Sequence, residues 1–64
     1  MKLILPDRSE RVIAGENVPL DTILRNEGIN PLEVIVSRNG TLIPEDTVVG
    51  GDDVIRLIRI AHGG

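Results

Sequence analysis

With neither a cysteine nor an aromatic residue among its 64 positions, this chain can close a core only with aliphatic side chains. No disulfide can staple it, and no thiolate can organise it around a metal or act as a nucleophile. A single domain of this size sits near the limit at which burial outweighs chain entropy. The core must come from one Met, two Ala, seven Leu, nine Ile and seven Val. The Ile and Val side chains are β-branched, which favours a pleated, half-buried surface over a helix.

The charge balance removes several classes of function. Seven basic residues stand against ten acidic ones, for a net charge of −3, and the six arginines and one lysine are scattered along the chain. A nucleic-acid surface needs clustered basic residues, and single-strand binding adds aromatic platforms, so no nucleic-acid partner is expected. No apolar run approaches the length of a membrane span, and Met1-Lys2 leads straight into a strand pattern without a long apolar leader. The expectation is a cytoplasmic domain that is monomeric on its own.

Periodicity and turn chemistry divide the chain into short elements. Residues 2–6 read as a strand, Asp7-Arg8-Ser9 as a turn, and 10–14 as the antiparallel partner. Asn17 reads as a helix N-cap with Pro19 in the first turn, and Leu20, Ile23 and Leu24 carry the helical spacing of a core face. Gly28 suits a left-handed C′ position, which puts Ile29 at C″ against Leu24 in a Schellman motif. Residues 32–38 read as a strand, and Asn39-Gly40 is a two-residue hairpin signal leading into Thr41-Leu42-Ile43. Pro44 to Thr47 reads as a loop or one turn of helix, with Val48-Val49 packed beneath it. Gly50-Gly51-Asp52 turns the chain into a last strand over 53–60. The order β-β-α-β-β-β describes an α+β roll, a mixed sheet holding one main helix, with the domain over 1–60 and a flexible tail over 61–64.

Alternation along the last strand sorts its side chains. With Ile55 and Leu57 inward, Arg56, Ile58 and Ile60 point outward, and Ile35 and Ile4 share that outer face. An exposed apolar patch of this kind usually marks a protein contact. The strand runs into Ala61-His62-Gly63-Gly64. Two glycines carry no side chains, so this backbone can thread a narrow channel. Four extended residues reach about 13–14 Å, enough to deliver a terminal carboxylate into a deep site on another protein.

The helix at 17–27, the hairpin from Val34 to Gly40, Leu42-Ile43-Pro44-Glu45-Asp46, the turn Gly51-Asp52-Asp53-Val54 and the Gly63-Gly64 end together resemble the ThiS/MoaD family of ubiquitin-like β-grasp sulfur carriers. The family includes thiamine-pathway carriers, molybdopterin-synthase small subunits and small archaeal modifier proteins. The resemblance spans the whole chain, and its specificity lies in the combination of the Gly-Asp turn, the last strand and the Gly-Gly end. It implies a carried substrate and not an enzyme. A partner adenylyltransferase uses ATP to adenylate the Gly64 carboxylate, and a sulfur donor converts it to a thiocarboxylate. The sulfur then goes to a thiamine precursor, molybdopterin or a tRNA base through a synthase or thiolation enzyme. Gly64 is thus the reacting residue, and Gly63, His62, Ile58, Arg56 and Ile60 are the candidate partner-binding residues, His62 by orienting the tail. No cofactor or metal is expected on the carrier itself. Glu45-Asp46 and Asp52-Asp53 either pair with basic residues of the activating enzyme or serve ordinary turn chemistry. Two other readings are a ubiquitin-like modifier that forms isopeptide bonds through Gly64 and a non-covalent β-grasp interaction module.

Overall fold

The computed structural model describes residues 1–60. In chain order they form β1 (Lys2–Ile4), β2 (Glu10–Val12), β3 (Val18–Pro19), α1 (Leu20–Asn26), a 3-10 turn at Pro31–Glu33, β4 (Val34–Arg38), β5 (Thr41–Ile43), β6 (Val48–Val49) and β7 (Val54–Arg59). Five strands build one sheet in the order β2-β1-β7-β4-β5, and β3 pairs with β6 apart from it. β1 runs parallel to β7, and the other neighbours are antiparallel, so the sheet is mixed. The fold is α+β with one main helix. No helix among the described residues is long and apolar enough to cross a membrane.

The core lies between α1 and one face of the sheet. Leu20, Ile23 and Leu24 bury the helix stripe against Leu3, Val34, Val36, Val49, Ile55 and Leu57. A seven-residue helix is too short to persist alone, so this packing holds it. Its C-terminus closes as a Schellman motif. The Gly28 N–H donates to the Arg25 carbonyl at 3.0 Å, and the Ile29 N–H donates to that of Leu24 at 2.8 Å. Gly28 supplies the required left-handed backbone at φ +76°. The hairpin between β4 and β5 also turns where its residues dictate. Asn39 and Gly40 have φ +51° and +86°, the two left-handed positions of a type I′ turn.

The helix start departs from the expectation. Asn17 is not the N-cap: it stands at φ +53°, and Pro19 occupies the cap position without a side-chain cap bond. The cause is tertiary. Val18 and Pro19 are drawn into a ladder with Val49 and Val48, so the chain stays extended up to the helix. A loop carbonyl, that of Thr47, accepts the Leu20 N–H at 2.9 Å in place of a side chain. The order therefore differs in detail from β-β-α-β-β-β. It gains β3 and β6, which at two residues each carry no readable alternation. The expected strand over 32–38 begins later, because Pro31 opens a 3-10 turn in which the Leu32 N–H donates to the Asn30 Oδ1 at 3.0 Å.

The turn from β1 to β2 is held by Asp7. Its Oδ1 accepts the Ser9 hydroxyl at 2.6 Å and the Ser9 N–H at 2.9 Å. The Ser9 hydroxyl, followed by the Ser9 N–H, holds the Asp7 carboxyl below its ordinary value. Because the folded value is the lower one, this contribution to stability is present above the unfolded value. It is lost as the pH falls through the folded one. In Ser9→Ala the larger of the two donors is gone, so the Asp7 carboxyl should titrate at higher pH than in the wild type. A carbon-detected NMR titration checks this, and an unmoved midpoint would contradict it.

Candidate functional site

β7 is the central strand, and its two faces meet different surroundings. Ile55 and Leu57 are buried beneath α1, while Arg56 and Ile58 stand exposed on the opposite face. Pairing then assembles a surface around them. Ile58 lies beside Ile35, and Arg56 lies between Ile4 on β1 and Ser37 on β4. Leu42 follows beside Ser37 on β5. Ile58, Ile35 and Leu42 are 45%, 42% and 65% exposed, an apolar grouping on the outer face of the sheet. Ser37 is small and 7% exposed, so the row dips between Arg56 and Leu42. The result is a groove of about 390 Å³, bordered by Ile4, Ser37, Leu42, Val54, Arg56 and Ile58. An arginine in such a setting can lay its methylene stem along the apolar floor while its guanidinium stays in water.

Ile60 lies just past β7, half-buried, and its N–H donates to the Glu33 carbonyl at 3.0 Å. The bond extends the β4–β7 ladder by one pair and ties this residue to the end of the 3-10 turn. His62, Gly63 and Gly64 lie outside the described residues.

The acidic candidates divide. Asp53 is committed within the chain: its Oδ2 accepts the Gly50 N–H at 3.1 Å and lies 3.8 Å from the Arg38 guanidinium. Asp52 and Asp46 are exposed and Glu45 is half-buried. Among the described residues, no group of three His, Cys, Asp or Glu side chains is placed to hold a metal ion.

The outer face read from the sequence contains neither Leu42 nor Ser37, although the turn carries a signal for them. The Asn39-Gly40 turn sets Arg38 opposite Thr41, and that register places Leu42 opposite Ser37 on the outer face. Neither the family models nor the curated proteins compared with this chain match it.

Proposed function

We propose that this domain is a sulfur carrier of the ubiquitin-like β-grasp type, activated at Gly64 by a partner adenylyltransferase that docks on the outer face of the sheet. The observation that carries the reading is the placement of β7. It is the central strand, it exposes Arg56 and Ile58 beside Ile35 and Leu42, and the chain runs on from it into Ala61-His62-Gly63-Gly64. The mixed sheet with its helix on one face supports the β-grasp assignment.

The chemistry belongs to the partner. A Gly64 carboxylate oxygen attacks the α-phosphorus of ATP, pyrophosphate leaves, and an acyl-adenylate forms. A sulfur nucleophile then attacks the acyl carbon and displaces AMP, leaving a thiocarboxylate. The carrier provides binding energy at the sheet face and a backbone slim enough to enter the active site. Sulfur passes on to a thiamine precursor, molybdopterin or a tRNA base in the cytoplasm. An amine attacking in place of sulfur would give an isopeptide conjugate, the modifier reading.

Two measurements test the proposal. Intact mass after incubation with the partner, ATP and a sulfur donor should show the gain of one oxygen replaced by sulfur. High-mass conjugates without that gain would favour the modifier. Deletion of Gly64 shortens the reach by about 3.3–3.6 Å, so ATP–pyrophosphate exchange should fall about a hundredfold or more while the melting temperature stays unchanged. Near-normal exchange by the shortened chain would sink the proposal.

A further inference from the structure

Four of the seven basic side chains are already engaged. Lys2 pairs with Glu10 at 3.2 Å, Arg11 with Glu27 at 3.5 Å, Arg25 with Asp21 at 3.4 Å, and Arg38 with Asp53 at 3.8 Å. Arg8, Arg56 and Arg59 have no carboxylate partner among the described residues, and all three are exposed. Arg8 is remote in sequence from Arg56 and Arg59, yet the three border one groove of about 330 Å³ at the end of β7, together with Leu5, Pro6 and Ile58.

The groove has a structural origin. β1 ends at Ile4, opposite Arg56, and the chain then turns away through Pro6 and Asp7, while β7 continues to Arg59. In the pairing with β4, the Val54 carbonyl accepts the Asn39 N–H and the Ile60 N–H donates to Glu33. Bonded pairs alternate along an antiparallel ladder, so the Leu57 carbonyl and the Arg59 backbone groups turn the other way, toward the side that β1 has left. The opposite wall is pinned. Arg8 sits at φ +72°, its N–H bonded to the Leu5 carbonyl at 2.8 Å, and the Leu5 N–H is bonded to that of Ser9 at 2.8 Å.

We propose that this groove docks an acidic, extended segment of a partner protein. Its carboxylates would meet Arg8, Arg56 on the outer face and Arg59, which alternation places on the α1 side at the end of β7, and its apolar side chains Leu5 and Ile58. This rests on the reading of the outer sheet face as a docking surface and adds the charge of what docks there. Three guanidiniums without a carboxylate partner among the described residues are a local concentration of positive charge on a chain of net charge −3, which favours an acidic segment at this end of the molecule. Planar guanidiniums match carboxylates two bonds at a time and pack on apolar neighbours. A nucleic acid would find the same guanidiniums, but no aromatic residue for its bases and a negatively charged surround.

The test is a ¹⁵N NMR titration with a synthetic acetylated peptide of alternating Glu and Leu, run beside an oligothymidylate of equal charge and beside ATP. The peptide should shift the amides of Arg8 and of residues 56–59 and leave those of Arg11, Arg25 and Arg38 in place. Replacing all three arginines by Ala should weaken it about tenfold or more and flatten its salt dependence. Should that variant lose its core amide dispersion, Arg56→Ala alone gives the same reading. Shifts spread over all the basic residues, or unchanged affinity in the variants, would overturn the proposal. Tighter binding of the oligonucleotide or ATP would also overturn it and assign the groove to phosphates. Thiocarboxylate formation in a protein that ignores the peptide would remove this inference and leave the sulfur-carrier reading standing. Peptide binding without any thiocarboxylate would do the reverse.

Discussion

Leu57→Asp should leave the domain unfolded, whereas Ile58→Asp, one position along the same strand, should leave it folded and unable to dock its partner. Leu57 is 2% exposed and packs in the cluster that joins α1 to the sheet. A carboxylate there has neither water nor a cation to compensate it, a loss of about 4–5 kcal/mol or more. A core this small supplies only about 3–5 kcal/mol in total, so the substitution exceeds the reserve. Ile58 is 45% exposed and faces Ile35 across the ladder. Losing that cross-strand pair costs about 1 kcal/mol or less. The same change puts a negative charge between Arg56 and the apolar residues proposed to meet the adenylyltransferase. Circular dichroism melts separate the two variants, and ATP–pyrophosphate exchange reads the docking. An unfolded Ile58→Asp would reverse the assigned faces. A folded Ile58→Asp with normal exchange would remove the outer face as the docking surface.

Gly50→Ala should lower the melting temperature by about 10–15 °C. A Cβ at this position would lie 2.8 Å from the Asn17 nitrogen, 2.8 Å from the Glu16 Cα and 3.1 Å from the Gly15 carbonyl oxygen. All three are backbone atoms, so no side chain can rotate away. The segment leading from β6 into β7 must separate from the segment leading into β3. That separation strains the β3–β6 pair, the 3.4 Å bond from the Gly51 N–H to the Gly15 carbonyl and the Asp53 bond to the Gly50 N–H. Overpacking of this kind costs about 1–3 kcal/mol, and each kcal/mol moves the midpoint of a domain this small by about 4–8 °C. Gly40→Ala is the informative comparison. It has open space around the added methyl but a φ of +86°, so it tests backbone strain without close approach. Its cost should be about 1 kcal/mol. If Gly50→Ala melts at or above Gly40→Ala, close packing of these two segments is not what holds this corner.

Several features were determined by residues within a few positions of one another. The type I′ turn at Asn39-Gly40 needs only two residues that tolerate positive φ. The Schellman end at Gly28-Ile29 needs one glycine and an apolar residue beyond it. The alternation that sets Ile55 and Leu57 on one face and Arg56 and Ile58 on the other follows from strand periodicity alone. The Gly63-Gly64 signal is likewise pure sequence, and it lies outside the described residues.

Tertiary structure decided what depends on distant segments meeting. Asn17 has the chemistry of a helix cap, yet pairing of Val18-Pro19 with Val48-Val49 extended the chain past it and left Thr47 to satisfy the helix. Gly50 looks like any turn glycine until Gly15–Asn17 is brought against it. The arginines appear scattered because Arg8 is remote in sequence from Arg56 and Arg59. They share a groove only because β1 runs parallel to β7 and stops short of its end. Local backbone preferences act through neighbouring dihedrals and are written residue by residue. Pairing partners, close approaches and shared charge fields arise only once the core has closed, from the one arrangement that buries Leu3, Leu20, Leu24, Ile55 and Leu57 together.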